Sequence, residues 1–329
     1  MRIGLIGFGR TGRSVASVVL RNPDFSLEWA VRRSERLDHR RAFEVLGEDA
    51  DAPGLIYAKS AFRADELLAT MPVDAIIDFS SEQGIDYYGD AAAERGVAIV
   101  SAVSHYSEAK QRQLEELALR TRVLWSPNIS VGINFMMLAA MALRKIAPDT
   151  DVELLEEHFR EKAGVSGTAM RLAESLNLDE SQIHSIRAEG IIGVHEMLFG
   201  FPAQTVRLRH ETISREAFGN GALFAVGRLV AMPKGLYRME DLLLPYFSHA
   251  SRVVATPVAL RRGWRARLSG SLHSVATRIG GRRDEVPNSP APSNPLVEVG
   301  AFSTNGRGSP VAGPDHHVSL EGPKEPVLN

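Results

Sequence analysis

At 329 residues the chain exceeds the ~100–200 residues of a typical single domain, so two domains are expected. Hydrophobic residues at 44% and charged residues at 24% are ordinary for a globular protein, and a formal net charge of -2 creates no field that would favour nucleic acid or an acidic partner. The absence of cysteine excludes disulfides, thiolate nucleophiles and cysteine metal sites, and no apolar run reaches the ~18 residues of a membrane helix. A cytoplasmic protein without metal, membrane or nucleic-acid partners is therefore expected.

Arg2 to Ile6 reads as a short buried strand, and Gly7-Phe8-Gly9-Arg10-Thr11-Gly12 turns out of it into a helical stretch, Arg13 to Leu20. A strand running through G-x-G-x-x-G into a helix is the dinucleotide-binding fingerprint. Gly7 makes the tight turn, Gly9 leaves room for a pyrophosphate, and Gly12 lets helix and strand approach closely. The pyrophosphate meets unpaired N–H groups at the helix start, so Phe8, Arg10 and Thr11 join the three glycines as cofactor-binding candidates. Alone, the motif also fits a glycine turn in another α/β protein; the βαβ pattern around it carries the assignment. Arg10 and Arg13 interrupt the apolar run that a signal peptide would need.

Ser26 to Val31 forms the second strand, with Arg32-Arg33-Ser34 at its C-terminal edge. An NAD site normally supplies an acidic residue here for the ribose hydroxyl, whereas a 2′-phosphate requires arginine. Arg32 and Arg33 therefore favour NADPH; NADH is the alternative, with Glu35 as ribose ligand if the turn is longer. Residues 39–58 are polar and loop-like, with an edge strand at 55–58. A helix at 64–70, a strand from Val73 to Phe79, a helix at 83–95, a strand at 97–100, a helix at 108–119 capped by Ser107, and a strand at 123–125 complete the alternation of a parallel sheet with crossover helices. Turns after Asp78 and Val100 lie at C-terminal strand ends, where open sheets bind ligands, so Phe79, Ser101 and Val103 are candidates for the nicotinamide wall.

The pattern changes at Ser126-Pro127-Asn128-Ile129-Ser130-Val131-Gly132. A Met- and Ala-rich helix at 133–143 begins a second domain, its methionines reading as core rather than as a ligand stripe. A strand at 152–159 ends in Glu156-Glu157-His158-Phe159, and a helix follows at 169–176. Strands at 183–189, 193–199 and 204–210 come in succession, then a helix from 214 to about 229, which makes this domain α+β with a mixed or antiparallel sheet. His158 and Lys162, four residues apart across a strand end, can supply the proton that hydride reduction of an imine or carbonyl demands. Ser166-Gly167-Thr168 at a helix start offers hydroxyls and free N–H groups to a substrate carboxylate. Taken alone, a satisfied strand-end histidine and a simple N-cap serine are the plainer readings; a preceding nucleotide domain turns them toward a substrate site. Beyond Leu244 the pattern weakens. Arg261, Arg262, Arg265 and Arg267 around Trp264 read as a solvated face, and residues 287–329, dense in Pro, Gly, Ser and Asn, as disorder or an extended arm.

Over roughly residues 1–244 the chain resembles the dihydrodipicolinate reductase family. The resemblance is carried by Arg10-Thr11-Gly12, Asp78-Phe79-Ser80, the segments 126–134 and 157–162, Ser166-Gly167-Thr168-Ala169, 186–196, Arg209-His210-Glu211, 214–218 and Gly235-Leu236-Tyr237. It implies reduction of a cyclic imine dicarboxylate, or its hydrated precursor, in lysine biosynthesis with NADH or NADPH. By position it implies His158 and Lys162 as catalytic, Ser166, Gly167 and Thr168 as carboxylate-binding, and Asn128 with the cofactor residues. It also implies a homotetramer formed through the open sheet of the second domain. Three departures bear on substrate: the family's second histidine is Phe159, kept as an aromatic substrate contact; the loop from Lys162 to Ser166 is one residue shorter; and Ser101-Ala102-Val103-Ser104 replaces Gly-Thr-Thr-Gly. A family enzyme with a different imine or carbonyl substrate, or a nucleotide-binding regulatory protein whose pocket has decayed, are the alternatives. The expected fold is a Rossmann-like doubly wound parallel sheet (residues 1–128 plus about 214–244), an α+β substrate and assembly domain (129–213), and an extension (245–329).

Overall fold

The computed structural model describes residues 1–50 and 52–254, with side chains described as far as Phe247. In chain order the elements are β1 (Arg2–Ile6), α1 (Arg10–Arg21), β2 (Ser26–Arg32), α2 (Ala42–Leu46), β3 (Leu55–Ala58), α3 (Ala64–Thr70), β4 (Ala75–Asp78), α4 (Ile85–Glu94), β5 (Ala98–Ser101), α5 (Glu108–Ala118) and β6 (Arg122–Trp125). There follow α6 (Val131–Ile146), β7 (Asp151–His158), α7 (Gly167–Leu176), β8 (Ile183–Arg187), β9 (Val194–Phe201), β10 (Gln204–Glu211), α8 (Glu216–Leu229), β11 (Gly235–Tyr237) and α9 (Met239–Val254).

The first sheet has seven strands in the order β11-β6-β5-β4-β1-β2-β3, every pairing parallel. Its apolar strands are buried on both faces. Ile3, Leu5 and Ala30 pack with Val15 and Val19 of α1 and with Ala222, Ala225 and Val226 of α8. Ile6, Trp29 and Ile76 pack on the opposite face with Leu67 of α3, Tyr88 of α4 and Leu117 of α5. Strand order reverses at β1, which lies between β2 and β4, so the crevice beyond the C-terminal ends of β1 and β4 is the sheet's topological switch point.

The second sheet is mixed: in the order β10-β9-β7-β8, β7 and β8 run parallel and the other pairs antiparallel. The two-residue period of β7 sends Val152, Leu154, Glu156 and His158 to the buried face. Val152 and Leu154 meet Met197 and Phe199 of β9 beneath Met136, Met137 and Ala140 of α6 and Leu172 of α7. The methionines are thus core, as expected. Glu156 and His158 continue the same row as polar groups.

Five local features differ from expectation. Within residues 39–58, read as loop before the edge strand, Ala42–Leu46 forms the short helix α2 with Ala42 in the core. Helix α1 begins at Arg10, because Gly9, in extended conformation, is its N-cap; Gly12 is therefore inside the helix. Ser107 holds the N-cap position of α5, but its side chain makes no capping hydrogen bond. Strand β11 is only three residues long and joins the edge of the first sheet beside β6, too short for a periodic signal. Helix α9 continues past Leu244 through Pro245, the residue at which a sequence reading stops a helix. The expected boundary at 244/245 thus falls within a helix. The arginine cluster at 261–267 and the Pro- and Gly-rich segment at 287–329 lie outside the described residues.

Candidate active site

The turn from β1 into α1 is built by its glycines. Gly7 sits at φ +94°, and a Cβ there would lie 2.7 Å from the backbone of Phe79; a Cβ on Gly12 would lie 1.8 Å from the Gly7 carbonyl oxygen. Helix, turn and the neighbouring strand end therefore meet backbone to backbone. A Cβ on Gly9 would meet no atom within 4 Å, so this residue borders open space at the helix N-terminus. The first turn of α1 carries no acidic residue and no side-chain cap, which leaves its N–H groups for an anion. Arg10 is exposed and Thr11 half-buried beside them. The Phe8 ring is 2% exposed and belongs to the core, so only its backbone can serve a cofactor. Half-buried Arg32 ends β2 and exposed Arg33 follows it, neither with an ion-pair partner among the described residues, while Glu35 accepts from Ser60 Oγ at 3.3 Å.

At the end of β4, Phe79 closes the switch point through its N–H to the Ile6 carbonyl (2.8 Å), its ring half-buried against the core. Asp78 beneath it is fully buried and accepts from Ser80 N, Ser80 Oγ and Tyr88 OH. Burial pushes its carboxyl up to about 6 against the pull of those bonds. Ser101 and Val103 are placed differently from expectation. Ser101 Oγ is buried at 2.8 Å from Tyr106 OH, and the Val103 carbonyl accepts from Trp125 Nε1 (2.8 Å). The aromatic pair locks these two residues inward, and the loop presents Ser104 and His105 to the cleft instead.

That cleft has a volume of about 1090 Å³, the size of a small-molecule site. One wall carries Ser104, His105, Trp125 and Asn128; the other carries His158, Lys162, Ser166, Gly167 and Thr168. Met137, Leu138, Met141 and Leu172 add an apolar stretch, and an ion pair between Arg171 of α7 and Glu240 of α9 lies on its border. Phe159 is not among the lining residues. Alternation along β7 turns His158 inward, and Phe159, just past the end of the strand, is 40% exposed.

The polar end is closely interlocked. Asn128 Nδ2 donates to Thr168 Oγ1 (3.0 Å), and Asn128 Oδ1 accepts from Ser130, so the end of the first domain is tied to the start of α7. Thr168 accepts in that bond and keeps its own hydroxyl proton to donate. Ser166, expected to grip substrate, is fully employed: Oγ caps α7 by accepting from Ala169 N (3.1 Å) and lies 3.0 Å from His195 Nε2. The N–H groups of Gly167 and Thr168 have no acceptor among the described residues. Lys162, half-buried, has no carboxylate partner among those residues.

Sequence reasoning missed the polar row behind these groups, buried at Glu156 and His195. Strand register aligns Ser185, Glu156, His195 and His210 across all four strands. Glu156 is 0% exposed. Burial alone would raise its pKa, but hydrogen bonds from Ser185 and Arg187, with the neighbouring Ser166 and His158, hold it below the usual carboxylate range. His158 Nδ1 lies 2.6 Å from Glu156 Oε2, in contact but without the alignment of a hydrogen bond. Burial lowers the His158 pKa, Glu156 opposes that shift, and Lys162 and Arg187 add to it. His195 is pushed down to about 3, chiefly by burial and then by His158, and is therefore neutral. The inward alternation of β7 and the matched 186–196 segment were the signals available. Glu156, His158 and His195 bring three donor atoms within 4.8 Å of one another. The carboxylate is already held by Arg187, and the Lys162 ammonium lines the same cleft, so a dication would sit beside two cations; the electrostatics favour a proton-handling group over a metal centre.

A doubly wound sheet with a glycine-lined, acid-free helix start at its switch point, joined to a domain that brings an ammonium and an imidazole to the same cleft, defines an NAD(P)H-dependent oxidoreductase. The chain belongs to the dihydrodipicolinate reductase family. The model "Dihydrodipicolinate reductase, N-terminus" matches residues 1–129 and "Dihydrodipicolinate reductase, C-terminus" matches 132–243. A 4-hydroxy-tetrahydrodipicolinate reductase from Halorhodospira halophila is 31% identical over 268 residues, covering 73% of this chain and 98% of that protein. One from Nitratidesulfovibrio vulgaris (strain Miyazaki F) is 30% identical over 262 residues, covering 71% and 96%. In fold the chain is similar to a dipicolinate-bound dihydrodipicolinate reductase from Paenisporosarcina sp. TG-14, with TM-score 0.61, 22% identity and coverage of 73% and 98%. No helix among the described residues is long and apolar enough to cross a membrane.

Proposed function

We propose that the chain reduces the C=N bond of a small cyclic imine bearing a carboxylate, with NADPH as the preferred reductant, as the names of its 4-hydroxy-tetrahydrodipicolinate reductase relatives suggest. The observation that carries this reading is the convergence of Lys162, His158 and the free N–H groups of α7 on one cleft whose facing wall is the C-terminal edge of the nucleotide sheet. NAD(P)H, when bound, supplies the hydride. The open approach at Gly9 and the uncapped start of α1 suit its pyrophosphate, with Gly7, Gly12, Arg10 and Thr11 shaping the cradle. Gly167 and Thr168 hold a substrate carboxylate, and Lys162 or His158 delivers a proton to the imine nitrogen. In this reading residues 1–128 with about 214–244 serve the nucleotide, and 129–213 serve substrate and assembly.

A second reading, a different imine or carbonyl substrate within the same chemistry, is favoured by one observation. Phe159 stands outside a cleft that Met137, Leu138, Met141 and Leu172 make apolar beyond its polar end. NADPH oxidation assayed with the dihydrodipicolinate precursor and with cyclic imine monocarboxylates separates the two. Tight nucleotide binding with no turnover of any of them would instead indicate a decayed, regulatory protein.

If Arg32 and Arg33 clamp the 2′-phosphate, NADPH binds more tightly than NADH by about 1–3 kcal/mol, and changing both to Ala removes that preference while NADH affinity stays nearly constant. Calorimetric titration with each nucleotide checks this, and equal Kd values in the unaltered protein would sink it. The outer face of the second sheet, where Leu155, Leu198 and Ile186 lie among ion pairs such as Arg209–Glu157, is the surface proposed to assemble a homotetramer. Sedimentation as a monomer at micromolar concentration would count against that assembly.

A further inference from the structure

We infer that Glu156 is the positioning residue for His158: held in place by Ser185 and Arg187, its carboxylate orients the imidazole through Nδ1 and keeps the ring protonatable. The inference rests on the reading of the cleft given above and deepens it, since it names the group behind both proton-donor candidates. Glu156 takes an inward position of β7 that continues the apolar row Val152 and Leu154, where a carboxylate is costly to keep away from water. Its two oxygens are used unequally. Ser185 Oγ donates to Oε1 at 2.6 Å and the Arg187 guanidinium donates to the same oxygen, whereas Oε2 receives no aligned donor and abuts His158 Nδ1 at 2.6 Å. A small ring rotation therefore makes Glu156 the acceptor for Nδ1–H, which fixes the tautomer and leaves Nε2 for exchange with the cleft. On the other edge of the ring, a Cβ at Gly193 would lie 3.2 Å from Nε2, so the glycine leaves that edge uncrowded.

Arg187 joins this pair to the other donor. Its Nε donates to the Lys162 carbonyl at 3.0 Å and its guanidinium to the Gly164 carbonyl, so one side chain spans the carboxylate and the loop that carries Lys162. The charged and titratable groups around His158 are Glu156 on its own strand, Lys162 in the following loop, Arg187 on β8 and His195 on β9, with His210 on β10 facing His195. The cations and burial all disfavour a proton on the ring. Glu156 is the group that favours one.

Ring titration of His158 by NMR in the full chain, its signal identified by loss in His158→Asn, tests the inference without any substrate. In Glu156→Gln the midpoint falls by about one pH unit or more, the effect of removing an opposite charge at contact distance. Glu156→Asp, which keeps the charge on a shorter stem, falls between Gln and wild type. A folded Glu156→Gln protein with the wild-type midpoint overturns the inference; where that variant does not fold, a Glu156→Asp midpoint equal to wild type does so. Failure of the functional reading is separately visible. If the imine is reduced with His158 as donor, the alkaline limb of kcat/KM moves to lower pH in Glu156→Gln in step with the titration. A limb that stays while the titration moves removes His158 as donor and leaves the role of Glu156 supported.

Discussion

Lys162→Ala lowers turnover of the cyclic imine about 10²–10⁴-fold, the range for a positioned proton donor, while nucleotide affinity and the thermal midpoint stay near wild type. The side chain lines the cleft with no carboxylate partner among the described residues, so its removal breaks no ion pair and opens no core cavity. Its loop is held through backbone carbonyls, by Arg187 at Lys162 O and Gly164 O, and these contacts survive truncation. Steady-state kinetics beside nucleotide titration checks the prediction. His158→Ala in the same assay assigns the roles: a comparable loss marks the histidine as donor, a smaller one marks it as a tuning group. Wild-type turnover in Lys162→Ala would place the chemistry elsewhere in the cleft.

The second large effect separates the glycines of the fingerprint. Gly9→Ala leaves the thermal midpoint unchanged within a degree or so, yet weakens NADPH and NADH alike by at least about tenfold, or ~1.4 kcal/mol. At φ -87° and ψ -160° an alanine is unstrained, and its Cβ meets no protein atom within 4 Å; the new methyl occupies only the space proposed for the pyrophosphate. Gly12→Ala behaves differently. Its Cβ would lie 1.8 Å from the Gly7 carbonyl oxygen, so helix and turn must part, and stability falls together with affinity for both nucleotides. Calorimetry on both variants, with thermal unfolding as the companion measurement, reads the contrast. Unchanged nucleotide affinity in Gly9→Ala would mean that the cofactor does not approach α1 at this residue.

Much of the framework was legible because its signals are local. Strand and helix alternate from β1 to β6 with the apolar runs of a doubly buried parallel sheet, and α3 was read at its observed bounds of Ala64–Thr70. The successive strands of the second domain were recognised by alternation, with their ends shifted by a residue or two. Where neighbours decide, reading failed. Strand β11 exists through three residues pairing with β6, α9 passes through Pro245, and Ser101 and Val103 turn inward because Tyr106 and Trp125 claim them.

The candidate site divides along the same line. Sequence by itself determined the residue types and local geometry: a glycine turn that opens a helix start, arginines at the end of β2, an imidazole and an ammonium four residues apart, and a Ser-Gly-Thr helix entry. These follow from backbone sterics and short spacing along one chain segment. Only the tertiary structure decided how the groups are used. It spends the Ser166 hydroxyl on its own helix and His195, leaves Phe159 exposed outside the cleft lining, and joins Asn128 to Thr168. It also places Glu156, Ser185, His195 and His210 in one row through the register of four strands, with Glu156 and His195 buried at its centre. The physical reason is that strand register and burial arise from pairing between distant segments. Whether a buried carboxylate is charged, and which ring it orients, depends on donors such as Arg187, 31 residues away in the chain.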